Sequence, residues 1–371
     1  MARVGTGVVA IFLAAILVAS GTSAASKPAR PWFNWLHMTS AKDGYALSGR
    51  DYLHYRLLRT TDGGHIWHQI TSLRPSSTPD IQGTTILFSR GVGQHGFAVE
   101  RSDNSGRTWT ESLPVRNSPV LGAGTPRFVD RQHLYVDVPE GAAAGSEGEA
   151  LYASSDGGHR WRLVTQTHVN HQRPRGLPFG CDKSGFGFVT PNRGWAGGYC
   201  AGGFPFFLGT HDGGRQWHRQ TLPGAPRSCS CETSAPVFFS RRLGVVWISG
   251  EHNNGAGRWF ARVYWTADGG DHWRGSRPTS GRTSPVDVVS RKVVWLFGRL
   301  AADPPSFPRL FRTTDAGRTW QSLHVPMAVS ANDELDAVDA TLGYAASGAR
   351  LWRTTDGGHR WTTIHAVIAQ K

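Results

Sequence analysis

Short apolar runs separated by turn-forming residues follow one another along this chain. The C-terminal stretch shows them most plainly: Leu335-Asp336-Ala337-Val338, Gly343-Tyr344-Ala345-Ala346-Ser347-Gly348, Leu351-Trp352-Arg353-Thr354 and Trp361-Thr362-Thr363-Ile364. Runs this short, bounded by Gly and Asp, predict four β-strands. The second run recurs as Gly44-Tyr45-Ala46-Leu47-Ser48-Gly49 and Gly194-Trp195-Ala196-Gly197-Gly198. It comes again around Val246-Trp247-Ile248-Ser249-Gly250 and Val294-Trp295-Leu296-Phe297-Gly298. An aromatic returning at a fixed place in a strand predicts a core position between repeats.

The third and fourth runs are joined by an octapeptide that also recurs. Thr60-Thr61-Asp62-Gly63-Gly64-His65-Ile66-Trp67 has the form Ser/Thr-x-Asp-x-Gly-x-x-Trp. Copies end at Trp109, Trp161, Trp217, Trp273, Trp320 and Trp361, 41–56 residues apart. The acid is Asp156, Asp212, Asp268, Asp315 or Asp356 in five of these, and Asn104 replaces it in the copy ending at Trp109. A period of this size marks a repeat architecture in which each repeat is one supersecondary unit. Asp-Gly is a tight-turn signal, because glycine reaches positive φ without a Cβ clash. The Asp and Ser/Thr oxygens can accept the turn's own amides, and the Trp can fold over the turn. These residues are therefore expected to be structural, since a catalytic role would require a separate site at every copy.

The octapeptide resembles the Asp-box, or BNR repeat, of sialidases, sortilin-type receptors, some xyloglucan hydrolases, and the propeller-type photosystem II assembly and stability factors. The last family is the most similar, since its repeats combine Gly-Trp-Ala-x-Gly with Thr-x-Asp-Gly-Gly-x-x-Trp. The resemblance implies an all-β, seven-bladed β-propeller with four antiparallel strands per blade and the octapeptide in each strand 3–4 turn. It covers nearly all of residues 26–371, expected as one propeller. The sialidase Arg-Ile-Pro signature is missing. Pro126-Arg127-Phe128-Val129 does not replace it, so that likeness extends to the boxes alone. The assembly-factor likeness implies a non-enzymatic exported propeller that docks a membrane-protein client. Blade 2, about 80–114, fits the repeat least well. Both ends of the chain carry whole blades, so no strand exchange between the termini is evident.

Composition adds an address and a charge. Arg3, the apolar run Val8–Ala19 and the small residues Gly21-Thr22-Ser23-Ala24-Ala25 predict an export signal over 1–25, with an uncleaved anchor as the alternative. The expected location is therefore secreted or in the cell envelope, peripheral to a membrane at most. Net charge is +13, and only Lys27, Lys42, Lys183, Lys292 and Lys371 among the cations are lysines. Arginine favours planar contacts with carboxylates and phosphates. The same bias would also follow from GC-rich coding.

In a blade of four antiparallel strands, the one–two and three–four turns share a face. The long connections then gather on the other: Pro139–Glu149, Thr165–Gly180, Pro223–Ser234, Gly250–Arg258, Gly275–Pro285 and Arg299–Arg309. Insertions collected on one face of a repeat protein mark its binding face. That face is expected to hold Arg173, Arg175, Arg227, Arg258, Arg299 and Arg309, a patch suited to an acidic protein client. The four cysteines fall there too. Cys181 and Cys200 are expected to pair with each other or crosswise with Cys229 and Cys231, because a Cys-x-Cys pair seldom closes on itself. A zinc site is the rival reading. His168-x-x-His171 in a loop is a weak metal signal and stays unassigned.

No nucleophile elbow, zinc-protease motif or phosphate loop is present. Glycosidase carboxyls would have to come from Glu140, Glu147, Glu149, Glu232, Glu251 or Asp303, none of which a pattern singles out. No metal, cofactor or nucleic acid is expected, and a monomer is. The alternative reading is a secreted glycoside hydrolase or a lectin for cell-surface glycan.

Overall fold

The computed structural model describes residues 29–51, 54–93, 96–116, 123–143, 146–168, 174–200, 202, 204–226, 229–252, 259–280, 282–299, 309–327 and 333–369, with backbone alone at 142–143, 146, 280, 282–285 and 299. The predicted export signal, His171, Asp303, Arg173, Arg227 and Arg258 lie outside them. The described chain is all-β, without helices, and forms seven antiparallel sheets of mostly four strands. The sheets span 33–69, 80–116, 125–167, 181–219, 229–280, 282–324 and 334–364, and are blades 1 to 7 of a β-propeller. In blade 7 the strands are Glu334–Ala337, Gly343–Ser347, Arg350–Thr354 and Thr362–Ile364, close to the sequence expectation.

Blade 2 is complete, with Asp80–Gln82, Thr85–Gly91, Gly96–Ser102 and Thr110–Glu111 in order. Its turn between the first two strands is two residues long, Gly83-Thr84, and Leu87, which pairs with Arg101 as Tyr45 does with Arg59, takes the aromatic's place in the second strand.

Each octapeptide folds as its chemistry requires. In blade 1 the Thr60 hydroxyl accepts the Gly64 N–H (3.1 Å) and donates to Asp62 (2.8 Å). Asp62 Oδ1 also accepts the N–H groups of His65 and Ile66, both at 3.0 Å, and Trp67 Nε1 donates to the Gly64 carbonyl (2.9 Å). Asn104 reproduces the arrangement, accepting Thr108 N (2.9 Å) and the Ser102 hydroxyl (3.0 Å). Partial burial opposes ionisation of Asp62, Asp156 and Asp212, but these N–H and hydroxyl donors hold all three below the ordinary carboxylate range.

The fourth octapeptide position is left-handed in all seven copies, with φ of 75–81° at five glycines and 60° at Ser105 and Ala316. Its N–H always bonds the carbonyl of the same blade's one–two turn. Examples are Gly63 to Lys42 (2.8 Å), Ser105 to Thr84 (2.8 Å), Gly213 to Asn192 (2.8 Å) and Ala316 to Lys292 (3.1 Å). Seven such bonds tie the two turn types into one uniform face.

The core is divided into seven clusters, one between each pair of neighbouring blades. Every cluster receives one octapeptide tryptophan, wedged against the preceding blade. Trp67 meets Tyr344 and Leu351 of blade 7, and Trp273 meets Trp195 and Phe207 of blade 4. The second-strand aromatics Tyr45, Trp195, Trp295 and Tyr344 are at most 3% exposed, as core residues should be. Blade 5 departs from the expected register: Val245 occupies the aromatic's place, and Trp247 lies two residues further on, half-buried.

Arginines tie neighbouring blades as well. Arg101 Nη1 donates to Arg131 O (3.0 Å) and Gly157 O (2.8 Å) of blade 3. Arg312 Nη1 donates likewise to Ala340 O (2.8 Å) and Gly357 O (3.0 Å) of blade 7. Part of the arginine excess thus serves the turn face rather than a partner.

The ring closes through the C-terminus, by a device that sequence reading did not find. Val367–Ile368 pairs parallel with Ile66–Gln69, the outer strand of blade 1. Val367 N donates to His65 O and Ala369 N to Trp67 O, both at 2.9 Å. Internal links make related contacts with the next blade, Leu113 N to His159 O (2.8 Å) and Trp217 N to Arg175 O (2.7 Å). The closing segment is therefore an ordinary inter-blade link, two residues of which happen to register as a strand.

Replacing Asp156 by Ala orphans the His159 and Arg160 N–H groups and should cost about 1–2 kcal/mol in urea unfolding. Asp156→Asn should cost far less, since Asn104 already fills the role. Val367→Pro removes a donor at the seam, and a loss of about 1–3 kcal/mol in the same assay is expected.

Candidate functional site at the loop end of the axis

The face opposite the octapeptides is uneven. In blade 3, Leu134–Ala143 and Ser146–Ser154 form a long hairpin, paired out to Ala143 and Ser146. The stretch Pro139–Glu149, expected as a loop, is thus mostly strand, because the pairing continues past a bulge at Pro139/Gly141. Its Glu147 N donates to Phe179 O (3.1 Å), and the Glu147 carboxylate accepts Lys183 N (2.9 Å), so the hairpin rests on blade 4. Blade 4 answers with Cys181–Phe188 and Gly194–Cys200, and blade 5 with Gly244–His252 and Trp259–Thr266. Pro223–Ser234 also contains a strand, Cys229–Thr233.

Both cysteine pairs lie on these hairpins. Cys181 and Cys200 face each other across adjacent strands, with Cα atoms 3.8 Å apart, and are bonded. Cys229 and Cys231 are at disulfide distance from each other, not crosswise to blade 4. Residues two apart on a strand point to one face, and both side chains are buried between blades 4 and 5. No free cysteine and no cluster of three metal-ligating side chains occurs among the described residues. Two such pairs suit an oxidising compartment. Among the same residues, no helix is long and apolar enough to cross a membrane.

Inside the ring, the innermost strands of neighbouring blades touch around an axial channel. On the side of blades 2 to 5 the channel widens to a cavity of about 680 Å³. Asp137, Ser184 and Glu232 line its loop end, Arg127 and Val237 its middle, and Asp130, Phe239 and Arg241 its turn end. Val237 and Phe239 are each 39% exposed there, an apolar wall left open to solvent. Asp80, Asp130, Asp137 and Glu232 outnumber Arg127 and Arg241 in the lining, although the whole chain carries +13.

The acidity continues outward along the blade 3 hairpin. Glu149, only 4% exposed, is pushed well up by burial and by Asp137, Glu147 and Glu140, with Lys183 opposing. Burial pushes Asp137 up too, against the pull of Arg127. The Lys183 ammonium donates to the Glu147 carbonyl and to Cys181 O (2.7 Å), and burial lowers its pKa. Burial alone raises Glu232.

The other channel wall comes from blades 6, 7 and 1. Asp336 accepts Met38 N (2.5 Å) and pairs with His37 Nδ1 (3.3 Å), and Asp287 accepts Ala337 N. On the opposite wall Asp80 accepts Phe128 N (2.8 Å). Each of these carboxylates therefore staples its inner strand to the next one. Burial and the Asp336 charge push Asp287 to about 7, against the Ala337 N–H and His37. Burial, with Asp336 and Asp333, likewise pushes Glu334 to about 7. The His37 ring is 40% exposed, to channel solvent. Burial lowers its pKa, but Asp336, then Asp287 and Asp80, win and raise it.

None of these residues was selected from the sequence, apart from the carboxyls Glu140, Glu147, Glu149 and Glu232. A signal was present. His37, Arg127, Asp287 and Asp336 pair with Tyr45, Tyr135, Trp295 and Tyr344, each eight residues later, as Gly187 pairs with Trp195 and Val237 with Val245. The residue eight before the second-strand aromatic is the channel position of its blade.

Of the predicted arginines, Arg175, Arg299 and Arg309 lie among the described residues. Arg175 lies at the outer edge of blade 4, where its carbonyl accepts Trp217 N beside the octapeptide, and its side chain is exposed. Arg299 ends the second strand of blade 6 and Arg309 starts the third, so both lie at the loop end. Arg309 is half-buried and reaches Ser322 Oγ at 3.5 Å. Glu251 lies at the loop end of blade 5, paired with Trp259.

No protein-family model matches the chain, and no curated protein matches it. Solved propeller structures do. An uncharacterised protein from Listeria monocytogenes is similar at a TM-score of 0.56 and 6% identity, over 93% of this chain and 96% of that one. The GH74 xyloglucanase from Xanthomonas campestris is similar at 0.53 and 15% identity, over 90% of this chain but only 53% of that one. YCF48 bound to D1 peptide is similar at 0.48 and 15% identity, over 89% and 92%. At such identities the shared property is the β-propeller fold.

The channel predicts a pH dependence. Asp287 and Glu334, with values raised to about 7, bind more protons folded than unfolded, so their contribution falls as pH rises from about 4 to 7. His37, also raised, adds stability below its unfolded value of 6.5 that is lost as pH climbs through its folded value. The melting temperature should therefore fall between pH 5 and pH 8. Asp287→Asn, which can still accept Ala337 N, should flatten that slope; an unchanged slope would show that Asp287 does not titrate as described.

Proposed function

We propose that this chain is an exported, non-enzymatic binding or assembly scaffold of the Asp-box propeller type, most similar to the photosystem II assembly-factor family, that engages its partner at the loop end. One observation carries the reading: the two faces differ in kind. The octapeptide face is uniform, closed by seven turn-to-turn bonds. The opposite face carries the extended hairpins of blades 3, 4 and 5 and both cysteine pairs. Paired hairpins on one side of a ring, that of blade 4 cross-linked by Cys181 and Cys200, present a shaped surface at reduced ordering cost on binding.

The partner is a secreted or membrane-protein client. Arg299 and Arg309, with Arg173, Arg227 and Arg258 in adjoining connections, supply cations for its acidic groups. Arg175, on the outer edge, would extend that contact only for a partner that wraps around blade 4. The export segment over 1–25 would deliver the protein to the envelope, where the cysteines can oxidise.

A second reading has one observation behind it. Buried carboxyls of raised pKa beside a cavity, as at Asp137 and Glu149, are what a glycoside hydrolase would need.

Affinity capture from the source envelope, with wild type and with Arg299→Glu/Arg309→Glu, tests the first reading. A protein client retained by wild type and lost from the variant is expected. Capture of the same client by both forms would remove the arginines from the contact. Recovery of polysaccharide alone would overturn the scaffold reading in favour of the second.

A further inference from the structure

The axial cavity has a polarity of its own, distinct from the arginine rim. Its loop end presents Asp137 and Glu232 beside Ser184, and its deeper wall presents Val237 and Phe239. Behind Asp137 stands Glu149, 4% exposed, with Lys183 the single cation set against its three carboxyl neighbours. The loop end thus gathers more carboxyl groups than cations, and a cation arriving there would favour their ionised form. An apolar wall with a few convergent polar groups, in a cavity of about 680 Å³, is the usual make-up of a ligand site.

The spacing of the two features can be read from the sheet. Glu232 pairs with Ser249 and Val237 with Val245, on one partner strand. Four residues of strand correspond to about 13 Å at ~3.3 Å per residue. A single lysine side chain cannot bridge that distance, whereas an extended backbone does so in four residues.

We propose that the cavity binds an extended peptide segment of the partner, with a lysine or arginine at the loop end against Asp137 and Glu232, and an apolar side chain about four residues away against Val237 and Phe239. The inference rests on the reading of the loop end as the binding end, and it specifies the chemistry that enters there. Arg127, midway along the wall, faces the peptide backbone and offers its carbonyls a donor.

The test uses the full mature chain and the capped pentapeptide acetyl-Lys-Gly-Ser-Gly-Leu-amide, followed by calorimetry. Two control peptides replace Lys by norleucine or Leu by Gly, and 1,5-diaminopentane serves as a free amine. Wild type should bind the Lys/Leu peptide at least tenfold more tightly than either control peptide and than the diamine. Glu232→Gln should abolish the preference for Lys, and Val237→Thr should weaken the preference for Leu. Both residues face the channel, so unchanged melting temperatures are expected, and Asp137→Asn is the substitute should Glu232→Gln fold poorly. Equal binding of all three peptides, no binding at millimolar concentration, or a diamine as good as the peptide would each overturn the proposal. Partner capture is measured separately, so a failed peptide with intact capture sinks this inference alone.

Discussion

Every blade of this ring leans on the one before it through a single indole, and the rest of the structure depends on that contact. The tryptophan can reach the neighbouring blade only if the turn that launches it is rigid. The Ser/Thr hydroxyl, the Asp carboxylate and a left-handed fourth position supply that rigidity from within eight residues. A flexible turn would leave the indole free to rotate out, and each inter-blade cluster would lose a tryptophan. Because the turn is held by its own amides, it needs nothing from other repeats. That is why blade 2, with Asn104 and a shortened first turn, is still a normal blade.

The same construction explains where much of the charge goes. A protein of +13 might be expected to show its cations to a partner. Instead Arg101 and Arg312 spend theirs on carbonyls of the next blade, and Arg59, Arg353 and Arg312 lie over buried aromatic rings. The carboxylates show the converse. Asp80, Asp287 and Asp336 turn inward and accept backbone N–H groups across blade boundaries. The exterior thus stays basic while the channel becomes acidic. Field lines confined between protein walls make such a channel more selective for charge than the net value suggests.

On the loop face, local strand pairing rather than loop length sets the relief. The blade 3 hairpin continues its ladder beyond the ring and settles on the cystine-braced hairpin of blade 4. Length alone suggested a loop there. A paired strand with a bulge reads in sequence much like a Gly-rich loop, because Gly141, Gly148 and the alanines near them fit either.

What this chain is built as was legible in the sequence, because it follows from local chemistry repeated at a fixed period. The octapeptides fixed seven turns, their tryptophans seven core wedges, and the short apolar runs the strands between. Three things were settled only by tertiary structure. Ring closure depends on where the last link lands, and Val367–Ile368 carries no strand pattern of its own. The pairing of Cys229 with Cys231 depends on which face of a strand turns inward. The channel carboxylates depend on seven first strands converging on one axis, so that His37 becomes a neighbour of Asp287 and Asp336, 250 and 299 residues further along the chain. Local order is a property of short segments, and a site is a property of their convergence.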